Sequence, residues 1–98
     1  MRTVIETPTF QKQAENVWNE EERLAFISWI ADNPFAGDVI PGAEGARKVR
    51  WSLPGKGKRG GVRIIYFSFT LQGTIVLVTM YAKNNQDNIP VSDIKKAI

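Results

Sequence analysis

From Val62 to Thr70 the chain is apolar at almost every position, broken only by Arg63 and Ser68. A short apolar run of that kind, bounded by turn formers on both sides, reads as the central strand of a sheet. Its flanks agree. Arg47 to Leu53 alternates, with Val49, Trp51 and Leu53 on one face and Lys48, Arg50 and Ser52 on the other, as a half-buried strand does. After the Leu71-Gln72-Gly73 turn, Thr74 to Lys83 reads as a third strand. The two-residue period puts Ile75, Leu77, Thr79, Tyr81 and Lys83 together on one of its faces.

The N-terminal half has a different period. Met1 to Glu6 reads as a short strand, after which Thr7 supplies an N-cap and Pro8 the first helical position. Phe10, Ala14, Val17 and Trp18 follow at helical spacing. Asn19 and Glu22 form a capping-box-like pair opening a second helix, whose Leu24, Ile27 and Ile30 stripe marks the expected buried face. The Glu20-Glu21-Glu22 run complements the positive end of the helix dipole. This helix stops before Asn33-Pro34, and Phe35 to Gly45, with Gly37, Pro41 and Gly42, reads as a loop. At the other end Asn84 to Asn88 is a polar loop, and Pro90 to Ile98 reads as a last short helix with Val91, Ile94 and Ile98 inward. The order β-α-α-β-β-β-α predicts an α+β fold in which two N-terminal helices pack on one face of a small antiparallel sheet and leave the other face for function. At 98 residues and 43% hydrophobic content, residues 1–98 are expected to form a single domain.

Composition narrows the chemistry. The chain has neither Cys nor His, which removes thiolate and imidazole catalysis and most transition-metal sites, so neither metal nor cofactor is expected. No apolar run approaches the roughly 20 residues that span a bilayer, and no signal-peptide stretch precedes the first strand, so a cytoplasmic protein without membrane contact is expected. Charge is unevenly placed. Residues 1–45 carry eight acids against three bases, whereas residues 46–98 carry ten bases against Asp87 and Asp93. Seven of those bases fall between Arg47 and Arg63 with no acid among them. That end of the molecule should attract a polyanion.

The candidate site follows from that block. Arg47, Lys48 and Arg50 stand on a strand, while Lys56, Lys58 and Arg59 stand on the glycine-rich loop Pro54-Gly55-Lys56-Gly57-Lys58-Arg59-Gly60-Gly61. Glycines allow the close backbone approach of an anion, and the cations supply charge for phosphate. The loop lacks the spacing and the Ser/Thr that a nucleotide-binding P-loop uses to hold magnesium, and it precedes a strand where a dinucleotide fingerprint precedes a helix. RNA cleavage by the neighbouring 2′-hydroxyl needs only a base, a cation for the phosphorane and an acid for the leaving 5′ oxygen, all within reach of Lys, Arg and Tyr. Arg63, alone among apolar neighbours, is either a buried arginine held by a carboxylate or a cation aimed at the functional face. Tyr81 and Lys83, about 7 Å apart along one strand face, could line the same cleft.

These residues resemble a known family. Arg47-Lys48-Val49-Arg50-Trp51, the block from Pro54 through Arg63 to Tyr66, Tyr81-Ala82-Lys83-Asn84, and Asp93-Ile94-Lys95-Lys96 are similar to the HigB-type branch of the RelE/ParE toxin superfamily. The similarity also takes in Asn33-Pro34 and the Asp38-Val39-Ile40-Pro41-Gly42 loop. It implies the RelE-like microbial RNase fold, ribosome-dependent endonucleolytic cleavage of mRNA, and a cognate antitoxin carrying a helix-turn-helix DNA-binding domain. On that resemblance Lys56 and Lys58 match the loop lysines that hold RNA or assist as base, and Arg63 the strand arginine that braces the scissile phosphate. Lys83 stands roughly where some relatives carry a second arginine, and a lysine cannot give the bidentate fork. The tyrosine that some relatives place near the chain end has no counterpart after Tyr81. Two other readings use the same fold: a ParE-like toxin that inhibits DNA gyrase without cutting, for which the basic block is not needed, and a decayed, non-catalytic nucleic-acid-binding module.

Overall fold

The computed structural model describes residues 3–52, 61–69 and 71–82. Strand β1 (Thr3–Glu6) leads through helix α1 (Pro8–Val17) into helix α2 (Glu20–Asp32). A two-residue strand β2 (Asp38–Val39) is followed by β3 (Arg47–Ser52), β4 (Gly61–Phe69) and β5 (Thr74–Ala82). The expected closing helix over 90–98, the loop residues Lys56, Lys58 and Arg59, and Lys83 lie outside the described residues.

Both helix starts form where local chemistry places them. The Thr7 hydroxyl accepts the Phe10 amide proton at 3.1 Å with Pro8 in the first turn. Asn19 and Glu22 close a capping box, each side chain accepting from the other's backbone N–H. The buried face of α2 is rotated from the expected stripe, however. Phe26 and Ile30 are fully buried, Ile27 packs at the margin, and Leu24 is about half exposed.

The sheet runs β1-β5-β4-β3-β2. It is mixed rather than wholly antiparallel, because β1 pairs with β5 in parallel while the other ladders are antiparallel. The N-terminal strand cannot reach a hairpin partner with two helices intervening, so it docks on the far edge, and a parallel pairing is what a long crossover permits. The segment expected as pure loop contributes β2, which extends the opposite edge by pairing Asp38 with Lys48 and Val39 with Arg47.

One sheet face carries the main core: Phe10, Ala14 and Trp18 from the first helical segment, Phe26 and Ile30 from α2, and Val49, Val62, Ile64, Tyr66, Ile75, Leu77 and Met80 from the strands. An aromatic chain joins these layers, with ring centroids 5.4 Å apart for Trp18–Phe26, 5.3 Å for Phe26–Trp51 and 5.0 Å for Trp29–Trp51. Each such pair adds about 0.5–1.5 kcal/mol beyond area burial. The opposite face carries a smaller cluster in which Ala43 and Ala46 of the β2–β3 connection lie against Ile65, Phe67, Val78 and Tyr81. That second face is therefore only partly available. No helix among the described residues is long and apolar enough to cross a membrane.

Candidate functional site

The β3–β4 register pairs Arg50 with Arg63, and the β4–β5 register pairs Arg63 with Tyr81. Directly opposed residues share a sheet face with Cβ atoms about 5 Å apart. Arg50, Arg63 and Tyr81 thus form one row across three strands, on the face away from the helices. The next row places Lys48 beside Ile65 and Thr79. Two positions the other way, Ser52 pairs with Gly61 and ends the described ladder.

Depth differs along the row. Arg50 is exposed, whereas Arg63 retains 9% of its accessible surface and Tyr81 retains 8%. Like charges directly opposed in a ladder are destabilising, and a nearly buried cation ordinarily takes a carboxylate partner. Arg23 is the contrasting case, pairing with Glu6 at 2.6 Å and Glu20 at 2.7 Å. Those contacts raise the Arg23 pKa, the Glu20 hydrogen bond contributing most and Glu6 next. The register sets Arg63 on the sheet face away from the helices. A ligand that carries negative charge at regular intervals would relieve the Arg50–Arg63 repulsion and bind both.

Tyr81 reaches this row by a route the sequence period does not predict. An even alternation would keep it with Ile75 and Leu77. Those two lie in the helix-side cluster, and Tyr81 lies in the other. The β4–β5 ladder shifts register between Ile65 and Tyr66, with Tyr66 opposite Leu77 but Ile65 opposite Thr79. Val78 is the extra residue of a β-bulge. Without it Tyr81 would stand opposite Val62, facing the helices. Bulges re-aim side chains in this way, often beside active sites.

Arg47 is separated from the other cations. It pairs with Tyr66, whose ring belongs to the helix-side core. Its guanidinium donates to the Phe35 carbonyl at 3.0 Å and stacks 5.3 Å from the Phe35 ring centroid. Tyr66 works beside it, its hydroxyl lying 2.6 Å from the Ala36 carbonyl and 3.1 Å from that of Pro34. Burial raises the Tyr66 pKa, with Arg47 opposing the shift in part. Together they fasten the 34–37 turn against the sheet, so the described cations of the open face are Lys48, Arg50 and Arg63.

On the helical side a depression of about 360 Å³ is lined by Glu6, Gln11, Glu15, Glu20 and Arg23. It lies between β1 and the two helices, remote from the Arg50–Arg63–Tyr81 row. Among the described residues no group of three or more carboxylates is placed to hold a metal ion.

No protein-family model matches the chain. Among solved structures it is similar to an arginine-to-alanine double mutant of Escherichia coli toxin RelE in the free state. The TM-score is 0.67, over 99% of this chain and 97% of that one, at 12% sequence identity. The two helices on a five-stranded sheet are therefore a RelE-like fold.

Proposed function

On this RelE-like frame, we propose that the protein is the toxin of a type II toxin–antitoxin system and acts in the cytoplasm as a metal-independent endoribonuclease on ribosome-bound mRNA. The observation that carries the reading is the Arg50–Arg63–Tyr81 row: two arginines and a phenol in register on the face opposite the helices. The resemblance of the basic block to the HigB-type branch supports it, as does the naming of the structural neighbour as a toxin.

The chemistry assigned to the row is transesterification. The ribose 2′-oxygen attacks the adjacent phosphorus, the bond to the 5′ oxygen breaks, and a cyclic phosphate and a 5′-hydroxyl result. Arg63 braces the equatorial oxygens of the phosphorane, which carry more charge than the ground-state diester, so its interaction is strongest in the transition state. Tyr81, one strand away, lies within reach of the same phosphate and supplies or receives a proton at the leaving or attacking oxygen. Lys56, Lys58 and Lys83 complete the proton transfers and the charge. Lys48, Arg50 and Arg59 hold the flanking phosphates. A cognate antitoxin with a helix-turn-helix DNA-binding domain silences the activity.

The test is induced expression of the wild type and of Arg63→Ala, with growth followed alongside primer extension on a reporter mRNA. Growth arrest with new 5′ ends that vanish in the variant is the expected result. Arrest with uncut mRNA would move the reading to a gyrase inhibitor, and no arrest would move it to a non-catalytic module.

A further inference from the structure

The bulge that carries Tyr81 to Arg63 does not stand alone. It is met from the first helical segment by four hydrogen bonds. The Thr7 amide donates to the Leu77 carbonyl at 3.1 Å, and the Thr7 hydroxyl donates to the Val78 carbonyl at 2.8 Å. The Gln13 side-chain oxygen accepts from the Met80 amide at 2.8 Å and from the Thr79 hydroxyl at 2.9 Å. An extra residue in a ladder leaves backbone groups without cross-strand partners, and a buried N–H or carbonyl left so costs about 1–3 kcal/mol. Here the Thr7 hydroxyl takes the carbonyl of the extra residue, Val78, and Gln13 takes the Met80 amide that follows it.

We propose that Gln13 is a positioning residue of the site, holding β5 in the bulged register that sets Tyr81 beside Arg63. Its catalytic meaning rests on the ribonuclease reading; its structural meaning does not. The even register is the natural competitor, because it restores ladder bonds to β5 without outside help. That register would put Tyr81 opposite Val62 on the helix face and Met80 opposite Arg63, since a slip of one residue reverses every side chain beyond it. Gln13 favours the bulge by bonding the Met80 amide only where the bulge presents it. Thr7 alone cannot do so: its bonds end at Val78, two residues before the amide in question. Gln13 acts through the Met80 amide and the Thr79 hydroxyl.

The experiment compares the wild type with Gln13→Met, which keeps length and helix propensity but has no strong acceptor, and with Gln13→Glu, which keeps one. Two readouts are taken: nuclear Overhauser contacts between the Tyr81 ring and the Ile65 and Arg63 side chains, and mRNA cleavage measured with RNA affinity. The expected result is loss of the Tyr81–Ile65 contact in Gln13→Met, cleavage lowered at least tenfold, and RNA affinity within about twofold of wild type. Gln13→Glu should restore both contact and cleavage. Should Gln13→Met fold too poorly for spectra, Gln13→Asn, whose amide falls one methylene short of β5, is read in the same way. Retention of the Tyr81–Ile65 contact in the acceptor-less or shortened variant would overturn the inference. The ring contacts need no RNA, so an inactive wild type would count against the ribonuclease reading and leave this one standing or falling by itself.

Discussion

Arg63 is nine-tenths buried and directly opposite Arg50, and like charges directly opposed in a ladder lower stability. Replacing it with methionine, which fills similar space without charge, should therefore stabilise the fold by about 0.2–1 kcal/mol, the usual worth of a directly opposed cross-strand pair. Cleavage should fall by about 10²–10³, the usual loss for one transition-state donor. Thermal denaturation and cleavage assays on one preparation check both, and a variant that lost stability would show that Arg63 serves the fold. Tyr66 is the contrasting case. Its raised pKa means the folded protein binds the phenolic proton more tightly than the unfolded chain, so the stability it supplies is present below the ordinary value of 10.0. That stability is lost as pH rises through the higher folded value. Denaturant midpoints above pH 10 should fall in the wild type and fall less steeply in Tyr66→Phe, which is itself weaker at neutral pH by about 0.5–1.5 kcal/mol because the half-buried carbonyls at 34 and 36 lose their donor.

At the scale of elements, Gly37 shows how the turn after α2 is fixed. It sits at a φ of 77° with the Lys48 carbonyl occupying the place of a Cβ. Gly37→Ala should combine left-handed strain with a backbone clash and cost more than about 2 kcal/mol, seen as a lowered denaturation midpoint. What was legible in the sequence divides along a physical line. Thr7, Pro8, Asn19 and Glu22 were readable because capping is completed within four residues. The two faces of β3 were readable because nothing interrupts the alternation of Lys48 and Arg50 against Val49 and Trp51. The face of Tyr81 is not legible in the sequence because the bulge depends on Gln13, more than sixty residues away in the chain, and no period along β5 carries that contact. Arg47 looked like part of the basic block, yet strand parity already set it with Val49, and only the turn at 34–37 gave it a partner. Several helix faces fit the apolar residues of α2, and the aromatic contacts of Trp18 and Trp51 decide for Phe26 over Leu24.

For the molecule as a whole, the two sides of the sheet differ in charge. Glu6, Glu15 and Glu20 line the helical-side depression, while Lys48, Arg50 and Arg63 stand on the opposite face, with Asp38 beside Lys48 at its edge. A polyanion would be attracted to the face that carries Lys48, Arg50 and Arg63. Binding of a single-stranded RNA should weaken linearly with the logarithm of salt concentration, and each cation that contacts a phosphate contributes about 0.7 to that slope. Arg50→Ala should lower the slope by about 0.7, whereas Arg47→Ala should leave it unchanged, since Arg47 is held by the 35–37 turn on the helix side. Filter binding at several salt concentrations separates the two. Equal slopes for both variants would show that RNA does not follow the row.

The most direct test of the row as a ribonuclease site is cleavage of a ribosome-programmed mRNA by purified wild type and Arg63→Met, read by primer extension. Discrete new 5′ ends from the wild type, reduced at least a hundredfold by a variant that melts no lower, are the predicted result. Equal cutting by both proteins, or no cutting by the wild type, would contradict it.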